Sequence, residues 1–301
     1  MLNMKAEELQ PDIVGLVKEA VADPGFSGRT LLTTIFGDSL LPRDQPIAVK
    51  QLVRLVAPFG LNDRLVRTSL HRLAQEQLVS SERRGRVSFY TVHDSAVTTF
   101  GHANLRIYAP PGTTNRWDGA WTVAVVDSAV GTKQDRARLV AELGWLGMTR
   151  QTSLVHVSPT VAPATLVALG ERLGVGYSVV MRSELTSGSV GDEEHRNRQM
   201  DPDGRLRDMH EAYQQRFAPV LSVLPTLTSE EAFVVRTLLI DAWRRIALRS
   251  PSFPIDLVPG NWPASDNLTL TKTIHDAVHQ TSEGHLDEIT GVTGSARSLF
   301  A

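Results

Sequence analysis

The 301-residue chain contains no cysteine. Disulfides, thiolate nucleophiles and cysteine-based zinc sites are therefore excluded, and nothing points to an oxidising compartment. Long apolar runs are missing as well, and the N-terminus is polar and mixed in charge, so a cytoplasmic protein with no membrane span or secretory leader is expected. There is no P-loop to cradle phosphates and no G-x-S-x-G to present a serine nucleophile. Gly170, Gly174 and Gly176 lack a third glycine and precede rather than follow a strand, so they make no dinucleotide fingerprint. Net charge is only −2, and aromatic residues make up 6%. What remains is a chain with 42% hydrophobic residues, enough to build two or three cores.

The charge is unevenly spread. Between Arg29 and His93 there are ten Lys and Arg against five Asp and Glu, so the footprint suited to a polyanion lies near the N-terminal end. Within that window Leu52, Val53, Leu55 and Val56 give a first helix its apolar stripe. Pro58 and Gly60 stop it, and Asn62 is a good N-cap for the next helix, from about Asp63 to Gln77. At 100° per residue Leu65, Val66, Leu70 and Leu73 share one face and are expected to be buried. Arg64, Arg67, Thr68 and His71 then point outward from the helix's N-terminal half, with Arg72 beside them. These are donors for base edges and phosphates. After Val79, two β-rich arms flank Gly85 and place Arg83, Arg84 and Arg86 at the tip of a hairpin. Helix, turn, basic helix and basic hairpin together read as a winged helix-turn-helix that binds DNA.

At these residues the chain resembles the PaaX family of phenylacetate-catabolism repressors. The resemblance is carried by Gly37-Asp38, Pro42-Arg43, the run Leu52 to Ser69 and Ser81-Glu82-Arg83. It continues through Trp117-Asp118-Gly119-Ala120-Trp121, Glu142 to Met148 and Val157-Ser158-Pro159. Further on it takes in Ala232-Phe233, Arg236 to Ile240, Trp243-Arg244-Arg245-Ile246, Leu257, Pro259 and Trp262-Pro263. It spans roughly Arg29 to Asn267; the first 28 residues and the tail from Leu268 carry none of the signature. The resemblance implies a repressor of a catabolic operon. It also implies a middle domain similar to the small nucleases associated with CRISPR that helps form a homodimer, and an aryl-CoA thioester such as phenylacetyl-CoA as inducer; the small footprint of a single winged helix separately calls for two on an inverted-repeat operator.

The expected fold is α+β and multidomain. A helical extension (1–28) precedes the winged-helix domain (29–93), which a linker helix (94–116) joins to the middle domain (117–186). In the middle domain Trp121–Val126, Ser153–Val157 and Tyr177–Met181 read as strands and 135–146 and Pro163–Leu173 as helices. That β-α-β-α-β order, with room for one more strand, suggests a ferredoxin-like α/β sandwich. A Gly/Ser-rich linker (187–204) leads to a C-terminal helical domain (205–301) with helical patterns over 206–217, 229–248 and 270–279.

Catalytic and metal constellations are weak, and neither a cofactor nor enzymatic activity is expected. Asp127 ends a strand where a ferredoxin-like nuclease would hold a metal, but a strand-end Asp is more often a turn residue. His275 and His279 share a helical face at i,i+4, with His285 nearby, yet no H-E-x-x-H accompanies them. Trp243, Arg244, Arg245 and Arg249 are the candidate contacts for the several phosphate charges and the acyl group of a CoA inducer. The competing assignment pairs these arginines with local acids such as Asp241. Two other function classes stand against a repressor: a metal-dependent nuclease working through Asp127, and a winged-helix module that binds protein.

Overall fold

The computed structural model describes residues 9–108, 117–184, 200–201, 203–250, 253–258, 260, 262–293 and 298–300. Pro110-Pro111-Gly112, Pro259, the side chain of Trp145 and most of the linker expected over 187–204 lie outside the described residues. The fold is mixed, largely helical, with two small antiparallel sheets. Packing divides the chain into two units. The first takes 1–108, 213–244 and 269–301; the second takes 109–212 and 245–268. Residues 205–301, expected as one helical domain, are thus shared between them.

In the first unit α1 (Pro11–Ala22) buries Ile13, Leu16, Val17 and Ala20. Its cap Gln10 reaches Glu231 and Thr226, so the extension packs within this unit. The helix α2 (Gly28–Thr34) opens with a Ser27–Thr30 capping box and runs into a π-helical turn at Ile35–Leu40. The helix expected from Arg29 to Phe36 therefore continues further, because the widened turn buries Asp38 and Ser39 against partners from distant helices. A short strand β1 (Ile47–Ala48), α3 (Val49–Val56), α4 (Asp63–Gln75) and the hairpin β2 (Val79–Arg84) and β3 (Val87–Val92) follow. Sheet order is β1-β3-β2. The helix α5 (Asp94–Tyr108) then leaves the hairpin.

Three C-terminal helices follow, α8 (Arg205–Phe217), α9 (Ser229–Ala247) and α10 (Ala264–Thr290), of which residues 213–217, 229–244 and 269–290 belong to this unit and pack with its N-terminal head. Phe59, in the turn after α3, meets Phe233 of α9 edge-on at 6.4 Å. A buried ionic chain does the rest. Asp38 receives Arg236 Nε at 2.7 Å, Arg236 Nη1 meets Glu283 at 2.6 Å, and Glu283 also takes Arg43 at 2.6 Å. Tyr108 donates its hydroxyl to Asp38 at 2.5 Å. Burial on its own would raise the Asp38 carboxyl, but the Arg236 guanidinium, with His275 and Tyr108, outweighs it and holds that carboxyl well below the usual carboxylate range.

The helix expected over 270–279 is far longer, because much of the buried face of α10 is polar. Asn267, Thr271, His275, Ser282, Glu283 and His285 alternate with Leu268, Ile274, Val278, Leu286 and Ile289, so hydrophobicity alone hides the period.

In the second unit β4 (Ala120–Val126), α6 (Lys133–Trp145), β5 (Thr149–Arg150), β6 (Val155–Ser158), α7 (Pro163–Leu173) and β7 (Tyr177–Glu184) form a β-α-β-β-α-β series. Strand order is β5-β6-β4-β7, with every pairing antiparallel. Ala124, Val126 and Val180 face a core completed by Leu139 and Leu143 of α6 and Leu166 and Leu169 of α7. Cross-strand partners share a side, so Val123, Val125, Val155, Val157, Val179 and Met181 line the opposite face. Val179 is 41% and Met181 47% exposed. Trp121, at the end of that face, packs on Trp117 and Phe253.

Also in this unit, His210 is fully buried, and its Nδ1 lies 3.0 Å from the amide nitrogen of Asn267. Burial pushes its pKa down to about 4. The neutral ring is therefore the folded form, accepting at Nδ1 from the Asn267 amide. Because the folded value lies below the ordinary 6.5, stability is fully present above pH 6.5 and is lost as pH falls from there to about 4. The loss is on the order of 3 kcal/mol. Unfolding midpoints recorded across that window should fall in the wild type and flatten in His210→Gln; an equal fall in both would refute the assignment.

Candidate nucleic-acid interface

The turn between α3 and α4 is set by local chemistry. Gly60 closes the short 3-10 turn Ala57–Phe59 at φ 77°, a left-handed value glycine adopts freely. Asn62 then caps α4, its side chain accepting from the Leu65 amide at 2.9 Å. Val66, Ser69, Leu70 and Leu73 face inward. A Cβ at Gly28 would lie 2.9 Å from Ser69 Oγ, so the start of α2 presses on this stripe.

One expectation is corrected here. Leu65 is not buried but 48% exposed. The buried stripe is the i, i+3, i+4, i+7 set from Val66, and Leu65 lies about 90° off its centre at 100° per residue. Ser69, small enough for α2 to approach, takes the inward place. An apolar side chain is left on the flank of a basic helix face.

Arg64, Arg67, Thr68, His71 and Arg72 are all exposed. Arg67 pairs with Asp63 at 2.7 Å, and Thr68 Oγ1 donates to the Arg64 carbonyl at 2.9 Å. The Arg67 pair is exposed on both sides, 54% and 55%, so it costs little to open.

The hairpin tip is a two-residue connection. Arg84 pairs with Val87, leaving Gly85 and Arg86 between the strands, with Gly85 at φ 64°. All three arginines are exposed but differ in commitment. Arg84 pairs with Glu82 at 2.7 Å and stacks over Phe89 at 5.1 Å. Arg83 points to the other side of the hairpin, its Nε donating to the Gly85 carbonyl at 3.1 Å. The tip thus offers Arg83 and Arg86 more freely than Arg84.

The four effector candidates are not gathered into one site. Trp243 is buried, its indole donating to the Ile107 carbonyl at 2.7 Å. Arg244 reaches Asp241 at 3.3 Å, the competing pairing foreseen from the sequence, and the Thr30 carbonyl at 3.1 Å. Arg245 is half-buried. Arg249 is exposed and lines a cavity of about 310 Å3 with Met200, Asp201, Asp203, Arg205 and Leu206.

Asp127 accepts from the Ala129 amide at 2.8 Å, a turn contact. The rings of His275 and His279 stack 5.4 Å apart, while His285 packs on Phe233. Among the described residues no group of three or more His, Asp or Glu is placed to hold a metal ion, and no helix is long and apolar enough to cross a membrane. The group that sequence reasoning missed is the buried one of Asp38, Arg236 and Glu283. Its signal was Arg236, the one charge inside the otherwise largely apolar run Ala232 to Ile240.

Comparison with known proteins follows the same outline. The PaaX-like protein family matches residues 27–96, and the family of the PaaX-like protein C-terminal domain matches residues 203–288, past the point at which the sequence resemblance was read to end. The chain is similar to the transcriptional repressor PaaX of Escherichia coli (strain K12), at 28% identity over 269 residues covering 87% of this chain and 84% of that one. Among solved structures it is similar to the uncharacterized protein Rv0674 from Mycobacterium tuberculosis. The TM-score is 0.52 at 16% identity, over 86% of this chain and 99% of that chain, a likeness of fold.

Proposed function

The chain belongs to the PaaX-like protein family, and from that premise we propose that it is a DNA-binding transcriptional repressor, a non-enzymatic cytoplasmic protein. The observation that carries the reading is the exposed face of α4, where four basic side chains and Thr68 stand clear of the core beside an arginine-tipped hairpin. We read α2 to β3 as a winged helix-turn-helix with α4 as its recognition helix. The β-α-β-β-α-β series, in its strand order, supports the reading of 117–186 as a ferredoxin-like domain. One winged helix gives too small a footprint for strong specificity, so two are needed on an inverted repeat. The open face of Val123, Val125, Val155, Val157, Val179 and Met181 supports a homodimer made through the middle domain. An operon for aromatic catabolism and an aryl-CoA inducer remain the reading drawn from the family; Arg249, exposed at a cavity, is the candidate that supports an anionic contact there. An inducer that binds better to a DNA-incompetent form releases the operator by its differential affinity.

The test compares the cognate operator with random DNA. Arg67→Ala is expected to weaken operator binding by roughly ten- to hundred-fold and random DNA far less, because a bidentate base contact is lost. Arg72→Ala, at a phosphate contact, weakens both alike. Equal losses for Arg67→Ala on both DNAs would refute base readout, and no salt-sensitive DNA affinity at all would favour a protein-binding module.

A further inference from the structure

The outward side of α4 carries one apolar side chain among its cations. Leu65 is 48% exposed in the N-terminal half of the helix, next to Arg64. It heads a row that continues with Thr68 and Arg72, three and seven positions on. A single exposed leucine is ordinary on a protein surface. This one is set apart by its neighbour. Thr68 is exposed, and its hydroxyl donates to the Arg64 carbonyl at 2.9 Å, so the hydroxyl proton is spent on the helix's own backbone. What Thr68 has left to offer outward is its γ-methyl.

Residues three apart lie side by side on a helix, so the leucine side chain and that methyl make one apolar spot. It is flanked by Arg64, His71 and Arg72, all exposed. Those side chains favour DNA over an apolar protein surface as the occupant, because a protein face would desolvate them with no phosphate to compensate. What a duplex turns toward a helix between its phosphates is the floor of the major groove, and the apolar group there is the C5-methyl of thymine. Arg67 stands on the opposite flank, about 160° round the helix from Leu65, so a base read by Arg67 and a thymine under Leu65 are different positions.

We propose that Leu65, together with the Thr68 methyl, reads the C5-methyl of one thymine in each operator half-site and is a specificity-determining residue of α4. The proposal rests on the reading of α4 as a recognition helix, and it names what that helix recognises besides phosphates and hydrogen-bonding base edges. Removing one methyl group from water contributes roughly four-fold in affinity. The gain is smaller than that of a bidentate arginine contact, and it separates thymine from bases that lack the methyl.

The test uses the full chain and a duplex whose sequence the chain selects from randomised DNA. Each thymine of one half-site is replaced in turn by deoxyuridine, which keeps the base pair and deletes only the methyl. One such replacement is expected to weaken the wild type about four-fold. Leu65→Ala should bind the thymine duplex about as weakly as the wild type binds that uracil duplex, with no further loss on uracil and an unchanged salt slope. Thr68→Val, which keeps the methyl, retains the discrimination; Thr68→Ser, which keeps the hydroxyl, loses part of it. A half-site in which no thymine responds, or a response that persists in Leu65→Ala, overturns the proposal. So does a shift of Leu65→Ala toward monomer in sedimentation with the uracil response intact, which makes Leu65 a contact between copies. If the uracil scan is flat while Arg67→Ala weakens the selected duplex more than random DNA, the recognition-helix reading stands and only the role of Leu65 falls. Failure to select any sequence defeats that reading, and this proposal with it.

Discussion

Arg236→Met is expected to lower the stability of the first unit by about 3–5 kcal/mol, the largest effect of any single substitution considered for this protein. Arg236 is 1% exposed and lies between two carboxylates, Asp38 at 2.7 Å and Glu283 at 2.6 Å. Methionine fills a similar volume but supplies no charge. Glu283 keeps Arg43, whereas Asp38 keeps the hydroxyls of Tyr108 and Ser39 and a distant His275, but no guanidinium. A buried carboxylate without its cation must be desolvated uncompensated or take up a proton, and either course costs free energy. Urea denaturation read at the midpoint measures the loss. Adding Asp38→Asn to Arg236→Met should recover part of it, because the double change removes the stranded charge as well as its partner. A single-variant loss below about 1 kcal/mol, or strict additivity of the pair, would show that the ionic chain does not hold the head to the C-terminal helices.

The residues of that chain explain what the sequence could and could not disclose. Asn62, Gly60 and Gly85 act on their own neighbours, so the start of α4, the turn before it and the hairpin tip were readable from a few positions each. The same holds for β4, α6, β6, α7 and β7 between 120 and 184, where periodicity changes from two to 3.6 within short stretches; the two-residue β5 is too short to show a period, and the sequence left only room for it. Leu65 was misplaced because a purely apolar count puts it on the inward face, and only the close approach of Gly28 to Ser69 shows that a small polar residue occupies the inward position. The length of α10 was hidden because its partners are ionic and polar groups far away in the chain, including Asp38 and Arg43. No local pattern of apolar residues could announce a face whose burial depends on charges more than two hundred positions distant. The effector candidates failed to converge for a similar reason: Trp243 and Arg244 looked available on their helix, but Ile107 and Thr30 already use them.

The hairpin gives the second large effect, and its geometry makes the prediction finer than a count of arginines. Each phosphate neutralised by a cation releases condensed counterions, so log K against log salt should carry a slope of about −0.9 per contact on duplex DNA. Replacing Arg83, Arg84 and Arg86 together by alanine is expected to flatten that slope by about 2, short of the 2.7 that three full contacts would give. The shortfall belongs to Arg84, whose guanidinium is shared with Glu82 and the Phe89 ring. Single substitutions should follow the same order, with Arg83→Ala and Arg86→Ala each removing close to one contact and Arg84→Ala distinctly less. Glu82→Gln provides the converse: it frees Arg84 and removes a repulsive carboxylate, so the slope should steepen. Binding measured over a series of salt concentrations decides among these. An unchanged slope in the triple variant would mean that the hairpin does not touch DNA, and equal contributions from all three arginines would mean that the Glu82 pair opens on binding.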